Sequence, residues 1–378
     1  MDSIEFDGFG PEKIVQVYNP KVGMHGIIVI DNTALGPGKG GIRMTPTVSV
    51  QEVFKLARTM TWKNAMAELP FGGAKSGIIA DPKHMTHKHK EEIVRAFAEA
   101  LKPICPADYV AAPDINMAEE EMGVFAKVNG NLKSTTGKPF EMGGLPHELG
   151  STGFGVYHAT KVAVDFAEID LKKAKVAVEG FGNVGTFAVH YLEKAGARIV
   201  ATSDSKGTVY NQKGLSYEKL MKTKKELGSV TEYGEGSQVL PTQGIIHLPV
   251  DILITAAIPD LIHTRDVDGI KAKLIVEGSN IPMTEQTEEF LHHKKVLVVP
   301  DFVANAGGVI SSYIEYVGGT KEEMFKMVQK KIVKNTKMVL EQSKKHHLPP
   351  RKIAMDIAKK RVLHKCKICH VELPNSST

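Results

Sequence analysis

The sequence predicts an α/β protein of two domains, an N-terminal α/β domain followed by a Rossmann-like, doubly wound domain. Three observations carry this prediction. A length of 378 residues leaves room for two domains. Beyond residue 155, short apolar runs of strand length alternate with helical stretches. Between the first such strand and its helix lies Gly180-Phe181-Gly182-Asn183-Val184-Gly185, a glycine turn in a strand–turn–helix setting.

Taken in order, residues 13–30 hold two apolar runs, Ile14-Val15-Gln16-Val17-Tyr18 and Gly26-Ile27-Ile28-Val29-Ile30, separated by Asn19-Pro20-Lys21-Val22-Gly23. This is a hairpin pattern. Val53, Leu56, Ala57 and Met60 fall on one helical face over 49–68, with Ser49 as N-cap and Lys63 near the helix end. Residues 90–102 and 116–128 read as further helices, and 108–112 as a strand ending at Pro113-Asp114. The Gly-, Pro- and Thr-rich stretch 130–155 is the expected domain crossing. Strands then follow at 176–179, 198–201, 251–255, 274–277 and 296–299, with a helix at 183–195. The expected division is 1–147, 148–335 and a helical tail, 336–378, returning to the first domain.

In the glycine turn, Gly180 permits the tight bend, Gly182 lets a pyrophosphate approach, and Gly185 lets helix and strand pack closely. The helix that opens at Asn183 and Val184 offers backbone N–H groups and a favourable dipole to an anion. Asp204, at the end of the next strand, stands where a ribose-binding acid is expected. It favours NAD, whereas Ser203, Ser205 and Lys206 beside it suit the 2′-phosphate of NADP, so both cofactors stay open. Ligands of such sheets bind beyond the carboxyl ends of the strands. There Asn280 and Asn305 offer donors and acceptors suited to a nicotinamide ribose or amide.

The N-terminal domain carries three lysines in small or apolar surroundings: Lys39 in Gly36-Pro37-Gly38-Lys39-Gly40-Gly41, Lys63 in Trp62-Lys63-Asn64, and Lys75 at the end of a glycine-rich turn, Gly72-Gly73-Ala74-Lys75-Ser76-Gly77. Desolvation disfavours an ammonium, so such a lysine can exchange protons near neutral pH. Three of them suggest a pocket for an anionic substrate.

Bulk properties narrow the class. A net charge of +5 with acids and bases interspersed gives no nucleic-acid signature. No apolar run reaches transmembrane length, and the acidic N-terminus lacks a signal-peptide pattern. Three cysteines make no disulfide framework, so reduced thiols in a cytoplasmic protein are expected. Cys366-Lys367-Ile368-Cys369-His370 spells a haem-attachment pattern and half a zinc site, and is read as an exposed or frayed tail. His84, His87 and His89 are read as a solvated loop, and no metal is expected.

The motifs together resemble the glutamate/leucine/phenylalanine/valine dehydrogenases. The resemblance runs from about Gly36 to Tyr316. It rests most specifically on Leu69-x-x-Gly72-Gly73-Ala74-Lys75-x-Gly77 with Asp81-Pro82, supported by Lys39-Gly40-Gly41-Ile42-Arg43, Trp62-Lys63-Asn64, Pro113-Asp114-Ile115-Asn116, Thr136-Gly137-Lys138-Pro139, Ser151-Thr152-Gly153 and Asn305-Ala306-Gly307-Gly308. It implies NAD(P)-dependent oxidative deamination of an L-amino acid, an N-terminal domain for substrate and oligomerisation, and a homohexamer. By position, Lys75 resembles the catalytic lysine, Asp114 the proton-transferring aspartate, and Lys63 the holder of the α-carboxylate. Thr152 and Asn183 resemble cofactor contacts. Lys39 and Ser312 match the lysine and serine of glutamate-type members, where leucine-type members have apolar residues. Glutamate is therefore the expected substrate, with a branched-chain or aromatic amino acid as the alternative. The short N-terminus and the wording around Gly143–His147 and Gly278–Pro282 lean toward that alternative.

Overall fold

The computed structural model describes residues 4–370 apart from Glu235. The chain forms two compact units, one of residues 1–147, 311–323 and 357–378, the other of 148–310 and 324–356. Residues 336–356, expected to return to the first domain, lie in the second unit, and the chain crosses between units near 310, 323 and 356 as well as near 147. All three of these extra crossings fall inside continuous helices, 307–316, 321–346 and 350–365, which leave no composition signal.

The first unit contains β1 (Lys13–Asn19), β2 (Met24–Asn32), β3 (Gly38–Lys39), β4 (Ile42–Thr45), α1 (Val50–Met66), β5 (Gly72–Ile79), α2 (His87–Ala100), β6 (Tyr109–Val110) and α3 (Glu119–Asn129). β1 and β2 form the expected hairpin, Lys13 opposite Ile30. The sheet runs β1-β2-β5-β3-β6, with β4 paired to β5. Ser49 caps α1 by accepting the Glu52 N–H at 3.2 Å. α2 starts at His87, behind its cap Thr86, so His87 and His89 lie in a helix rather than in the expected loop. One sheet face packs Ile28, Ile30, Ala74 and Ile78 against Phe97 and Phe125. The other packs Ile27 and Val29 against Val53 and Ala57 of α1.

The second unit contains α4 (Ser151–Phe166), β7 (Lys175–Glu179), α5 (Asn183–Lys194), β8 (Arg198–Asp204), β9 (Gly207–Tyr210), α6 (Tyr217–Leu227), β10 (Gln238–Leu240), β11 (Ile252–Thr255), β12 (Leu274–Glu277), α7 (Glu285–His293), β13 (Leu297–Val299) and α8 (Asp301–Ala304). α9 (Gly307–Tyr316), α10 (Lys321–His346) and α11 (Pro350–Lys365) each contribute residues to both units. The sheet order is β10-β9-β8-β7-β11-β12-β13. β8, β7, β11, β12 and β13 are parallel to one another, and β9 and β10 extend the edge antiparallel. The parallel strands read as continuous apolar runs because both faces are covered.

Two expectations change. The stretch carrying Lys75 is not a turn but a strand, explained below. The tail through His370 is not frayed: Cys366 and Cys369 form a disulfide, Asn32 Nδ2 donates to Cys369 Sγ at 3.4 Å, and the His370 N–H donates to Gly8 O at 3.0 Å. The two-residue spacing after the end of α11 brings the sulfurs together where reduced thiols were expected. No helix among the described residues is long and apolar enough to cross a membrane.

Candidate active site

Lys75 sits in mid-β5, opposite Val29 of β2. Side chains alternate along a strand, so Lys75 shares its face with Gly73 and Gly77. A Cβ on Gly73 would lie 2.0 Å from Thr61 Oγ1 and 2.5 Å from Ala57 O, and one on Gly77 would lie 2.6 Å from Val48 Cγ2. The glycines are thus required by the close approach of α1 and its leading segment, not by a bend. Ala74 and Ile78 point into the opposite core, and Ser76 Oγ hydrogen-bonds Tyr109 OH at 2.8 Å. The Gly-x-Lys-x-Gly spacing is therefore a strand pattern that sinks one lysine under a helix.

The Lys75 ammonium meets Asp114 Oδ2 at 2.7 Å. Arg43 Nε reaches the same oxygen at 3.1 Å, and Arg43 Nη1 pairs with Glu52 at 2.5 Å. Burial (Lys75 is 7% exposed) lowers the lysine's pKa; Asp114 opposes the shift and Arg43 adds to it. The like charge pressing on Lys75 is thus Arg43, where the sequence suggested Lys63. Burial raises the Asp114 carboxyl, but Lys75 and then Arg43 outweigh it and hold it below the ordinary range. Asp114 is no cap of α3, which begins at Glu119 behind Ala118. Gly41 leaves the pair room, since a Cβ there would lie 2.8 Å from Asp114 Cβ and 3.2 Å from Lys75 Nζ.

Lys39, 2% exposed, donates to Ala111 O at 2.8 Å. Burial brings its pKa down to about 7; Glu315 resists the shift, and Lys138 and Lys75 reinforce it. Glu315 is already engaged: it pairs with Lys138 Nζ at 2.6 Å and accepts the backbone N–H groups of Gly137, Lys138 and Leu145 at 2.9, 3.3 and 3.0 Å. Lys39 therefore lies in the field of an acid that is neutralised elsewhere. Ser312, half-buried, precedes Glu315 by three residues on α9 and so shares its side of that helix. Lys63 lies half-buried in the last turn of α1. Arg43 and Lys138 stood in the motifs without a role, and Glu315 had no signal beyond its spacing from Ser312.

In the second unit, Gly180 has φ +90° and donates its N–H to Ser203 Oγ at 2.9 Å. A Cβ on Gly185 would lie 1.8 Å from Gly180 O, whereas one on Gly182, the N-cap of α5, meets no atom within 4 Å. Asn183 and Val184 open α5, whose first N–H groups have no preceding helical carbonyl to bond. Glu179, at the end of β7, accepts from the N–H groups of Ala256 and Ala257 at 2.9 and 3.0 Å and so fixes the exit of β11. Thr152 lies in the first turn of α4, and a Cβ on Gly308 would lie 3.1 Å from its Oγ1. Asn305 is buried; its Nδ2 donates to Asn280 Oδ1 at 3.0 Å and to Gly278 O and Ser279 O at 3.3 Å. Its Oδ1 has no partner among the described residues. An open Gly182, a helix N-terminus and a buried amide oxygen without a partner among the described residues fit a dinucleotide with a carboxamide end.

Asp204 departs from expectation. Its side chain is 5% exposed and pairs with Lys224 Nζ at 2.6 Å. It also accepts from Ser229 Oγ, Val230 N and Lys206 N at 3.1, 2.9 and 2.9 Å. Both oxygens are committed inside the unit, so the carboxylate shapes the loop around 229–230 rather than facing outward to a ribose.

A buried lysine–carboxylate pair and a glycine turn at the carboxyl edge of a parallel sheet define the class as a nucleotide-dependent dehydrogenase. The comparisons narrow this. The Glutamate/Leucine/Phenylalanine/Valine dehydrogenase model matches residues 143–368, and the dimerisation-domain model of the same family matches 11–129. The chain belongs to this family of amino-acid dehydrogenases. It is 42% identical over 354 residues to a glutamate dehydrogenase of Aeropyrum pernix, covering 89% of this chain and 84% of that one. It is 37% identical over 320 residues to an NADP-specific glutamate dehydrogenase of Saccharolobus shibatae, covering 81% and 75%. Among solved structures it resembles the hetero-hexameric glutamate dehydrogenase of Thermus thermophilus, with TM-score 0.84 and 26% identity, covering 96% of this chain and 91% of that one.

Proposed function

We propose that this enzyme interconverts L-glutamate and 2-oxoglutarate with ammonia, using NAD or NADP. In the deaminating direction the substrate loses a hydride from Cα, water adds to the resulting iminium carbon, and ammonia leaves as the 2-oxo acid forms. A bound NAD or NADP would supply the hydride acceptor. Lys75, held partly desolvated, takes the proton from attacking water. Asp114, ionised and 2.7 Å from it, passes protons between the lysine and the departing amine. Lys63 holds the α-carboxylate, which fixes Cα for transfer. The observation that carries the choice of glutamate is Lys39. A buried ammonium bonded to a carbonyl, with its nearest acid already paired, is completed by a ligand carboxylate. Ser312 supplies a further hydroxyl there. An apolar side chain would leave Lys39 buried and uncompensated. Gly180, Gly182, Asn183, Val184 and Gly185 would seat the pyrophosphate, and Thr152, Asn280 and Asn305 would hold the nicotinamide end. An oligomer, a homohexamer on this reading, is supported by the dimerisation-domain match and by the hetero-hexameric relative from Thermus thermophilus.

The test is turnover of 2-oxoglutarate against 2-oxoisocaproate, each with ammonia and reduced cofactor. The expected kcat/KM ratio favours 2-oxoglutarate by at least about 10²-fold, the scale on which a site with buried polar groups rejects an apolar analogue. Faster reduction of 2-oxoisocaproate overturns the reading of Lys39 and Ser312. Running the same assay with both cofactors assigns NAD or NADP.

A further inference from the structure

Beneath the turn that carries Asn280 lies a charged cluster that the proposed chemistry does not use. Arg351, the second residue of α11, is in the second unit. Its Nη2 donates to Glu277 Oε2 at 2.8 Å and to Asp301 Oδ1 at 2.9 Å, and its Nε pairs with Glu288. The guanidinium also lies 5.5 Å from the Phe302 ring centroid. Four elements meet here: Glu277 ends β12, Glu288 lies on α7, Asp301 opens α8, and Arg351 opens α11. All three acids are almost fully buried.

Three carboxylates around one cation leave an excess of buried negative charge, which such a site relieves by taking up protons. Burial pushes Glu288 up to about 7, and it raises Glu277 well above the ordinary carboxylate range, with Glu288 adding to the rise. Their oxygens left over from Arg351, Glu277 Oε1 and Glu288 Oε2, are buried with no hydrogen-bond partner among the described residues. The cluster is therefore an arginine holding three buried acids, two of which, Glu277 and Glu288, burial pushes toward their protonated forms.

Its two arms grip the segments that place the asparagines. Glu277 Oε2 accepts the Asp301 N–H at 2.8 Å, tying the end of β12 to the start of α8. Asp301 Oδ2 accepts the Ile281 N–H at 2.9 Å. Ile281 has φ +47°, a conformation that costs a branched residue about 1–2 kcal/mol and persists only when its surroundings enforce it. Asn280 is the residue before it. Asp301 O accepts the Asn305 N–H at 2.8 Å at the other end of α8. Releasing Asp301 thus frees both the 278–281 turn and the helix that ends at Asn305.

We propose that Arg351 is a positioning residue for the nicotinamide end of the cofactor, acting through Asp301 and Glu277 to fix the Asn280–Asn305 pair. The inference rests on the cofactor reading given above. The experiment compares wild type, R351K, R351M and R351M/E288Q in three readouts: thermal midpoint, Kd of reduced cofactor by fluorescence titration, and KM for 2-oxoglutarate. E288Q removes one acid together with the cation, so the double variant keeps the charge balance and folds even where R351M does not. Expected are a Kd for reduced cofactor raised about tenfold, equivalent to about 1.4 kcal/mol, in R351M/E288Q, partial recovery in R351K, and KM for 2-oxoglutarate changed less than threefold. A folded R351M/E288Q with wild-type cofactor Kd overturns the proposal, as does R351K weakened as much as the methionine variant. Wild type that fails to bind reduced cofactor overturns the cofactor reading instead, so the two failures are distinguishable.

Discussion

On the proposed function, the two units prepare for chemistry in different ways. In the first, function resides in side-chain charge: Lys75, Asp114 and Arg43 share one carboxylate oxygen, and Lys39 is stripped of water beside an acid that is already paired. In the second, function resides in backbone shape: a glycine at φ +90°, a helix N-terminus, and a turn held by buried side chains. Charge sites are tuned by burial and fail when a charge is removed. Shape sites are tuned by the absence of atoms and fail when an atom is added. Substitutions of opposite kinds therefore separate them.

The largest effect is expected at Lys75. Lys75→Ala should lower kcat by about 10³-fold, the range of a lost proton-transfer group, with the Kd of reduced cofactor within twofold of wild type. Steady-state kinetics beside a fluorescence titration checks both. Parallel loss of cofactor binding would break the division between charge and shape.

Second come the glycines. Gly185→Ala places a methyl 1.8 Å from Gly180 O, so the backbone must move. A destabilisation of about 1–3 kcal/mol is expected, read as a fall in thermal midpoint. Gly182→Ala adds its methyl to open space at φ −93°, so the thermal midpoint should hold. Its cofactor Kd should rise roughly ten- to a hundredfold, because the methyl occupies the approach of the pyrophosphate. Equal stability losses in the two variants would mean that Gly182, too, is a packing glycine.

This pair also shows what the sequence made legible. The Gly180–Gly185 turn and the strands around it were readable because a strand, three spaced glycines and a helix are all local. The β1–β2 hairpin and the Ser49 cap were readable for the same reason. Lys75 stands out in the sequence for a partly different cause, since the glycines that read as a turn are strand residues that admit α1. A period of two around the lysine was the available clue. Arg43, Glu315 and Arg351 act across long sequence separations, on Asp114, Lys138 and Glu277, and nothing local marks them. The unit crossings near 310, 323 and 356 run inside α9, α10 and α11, which composition cannot reveal.

A smaller effect tests the charge site by pH. On the proposed function, Lys39, with a pKa of about 7, binds a distal carboxylate in its protonated form. Above that pKa the free enzyme holds it neutral, so binding must take up a proton. The Kd of 2-oxoglutarate should therefore rise by up to roughly tenfold per pH unit above 7 and flatten below it. Calorimetric titration from pH 6 to 8.5 measures the slope, and Lys39→Met should abolish it while weakening binding throughout. A slope that survives in Lys39→Met belongs to another group.

The smallest effect is expected at Asp204, where the two kinds of site meet in one residue. Its position is that of a ribose-binding charge, but its surroundings use it for shape. Lys224, Ser229, Val230 and Lys206 all donate to it. Burial raises the carboxyl, but the bonds from Lys224 and the neighbouring N–H groups outweigh that and lower its pKa. Its stabilisation is therefore complete above the ordinary aspartate pKa and is lost as pH falls through the depressed folded value. Asp204→Asn turns an NH2 toward those donors and should cost about 1–3 kcal/mol of stability at pH 7, with the difference from wild type shrinking in acid. The ratio of kcat/KM for NAD to that for NADP should change less than threefold. A tenfold shift toward NADP would show that the carboxylate swings out to meet the ribose after all, and that the shape reading of this corner is wrong.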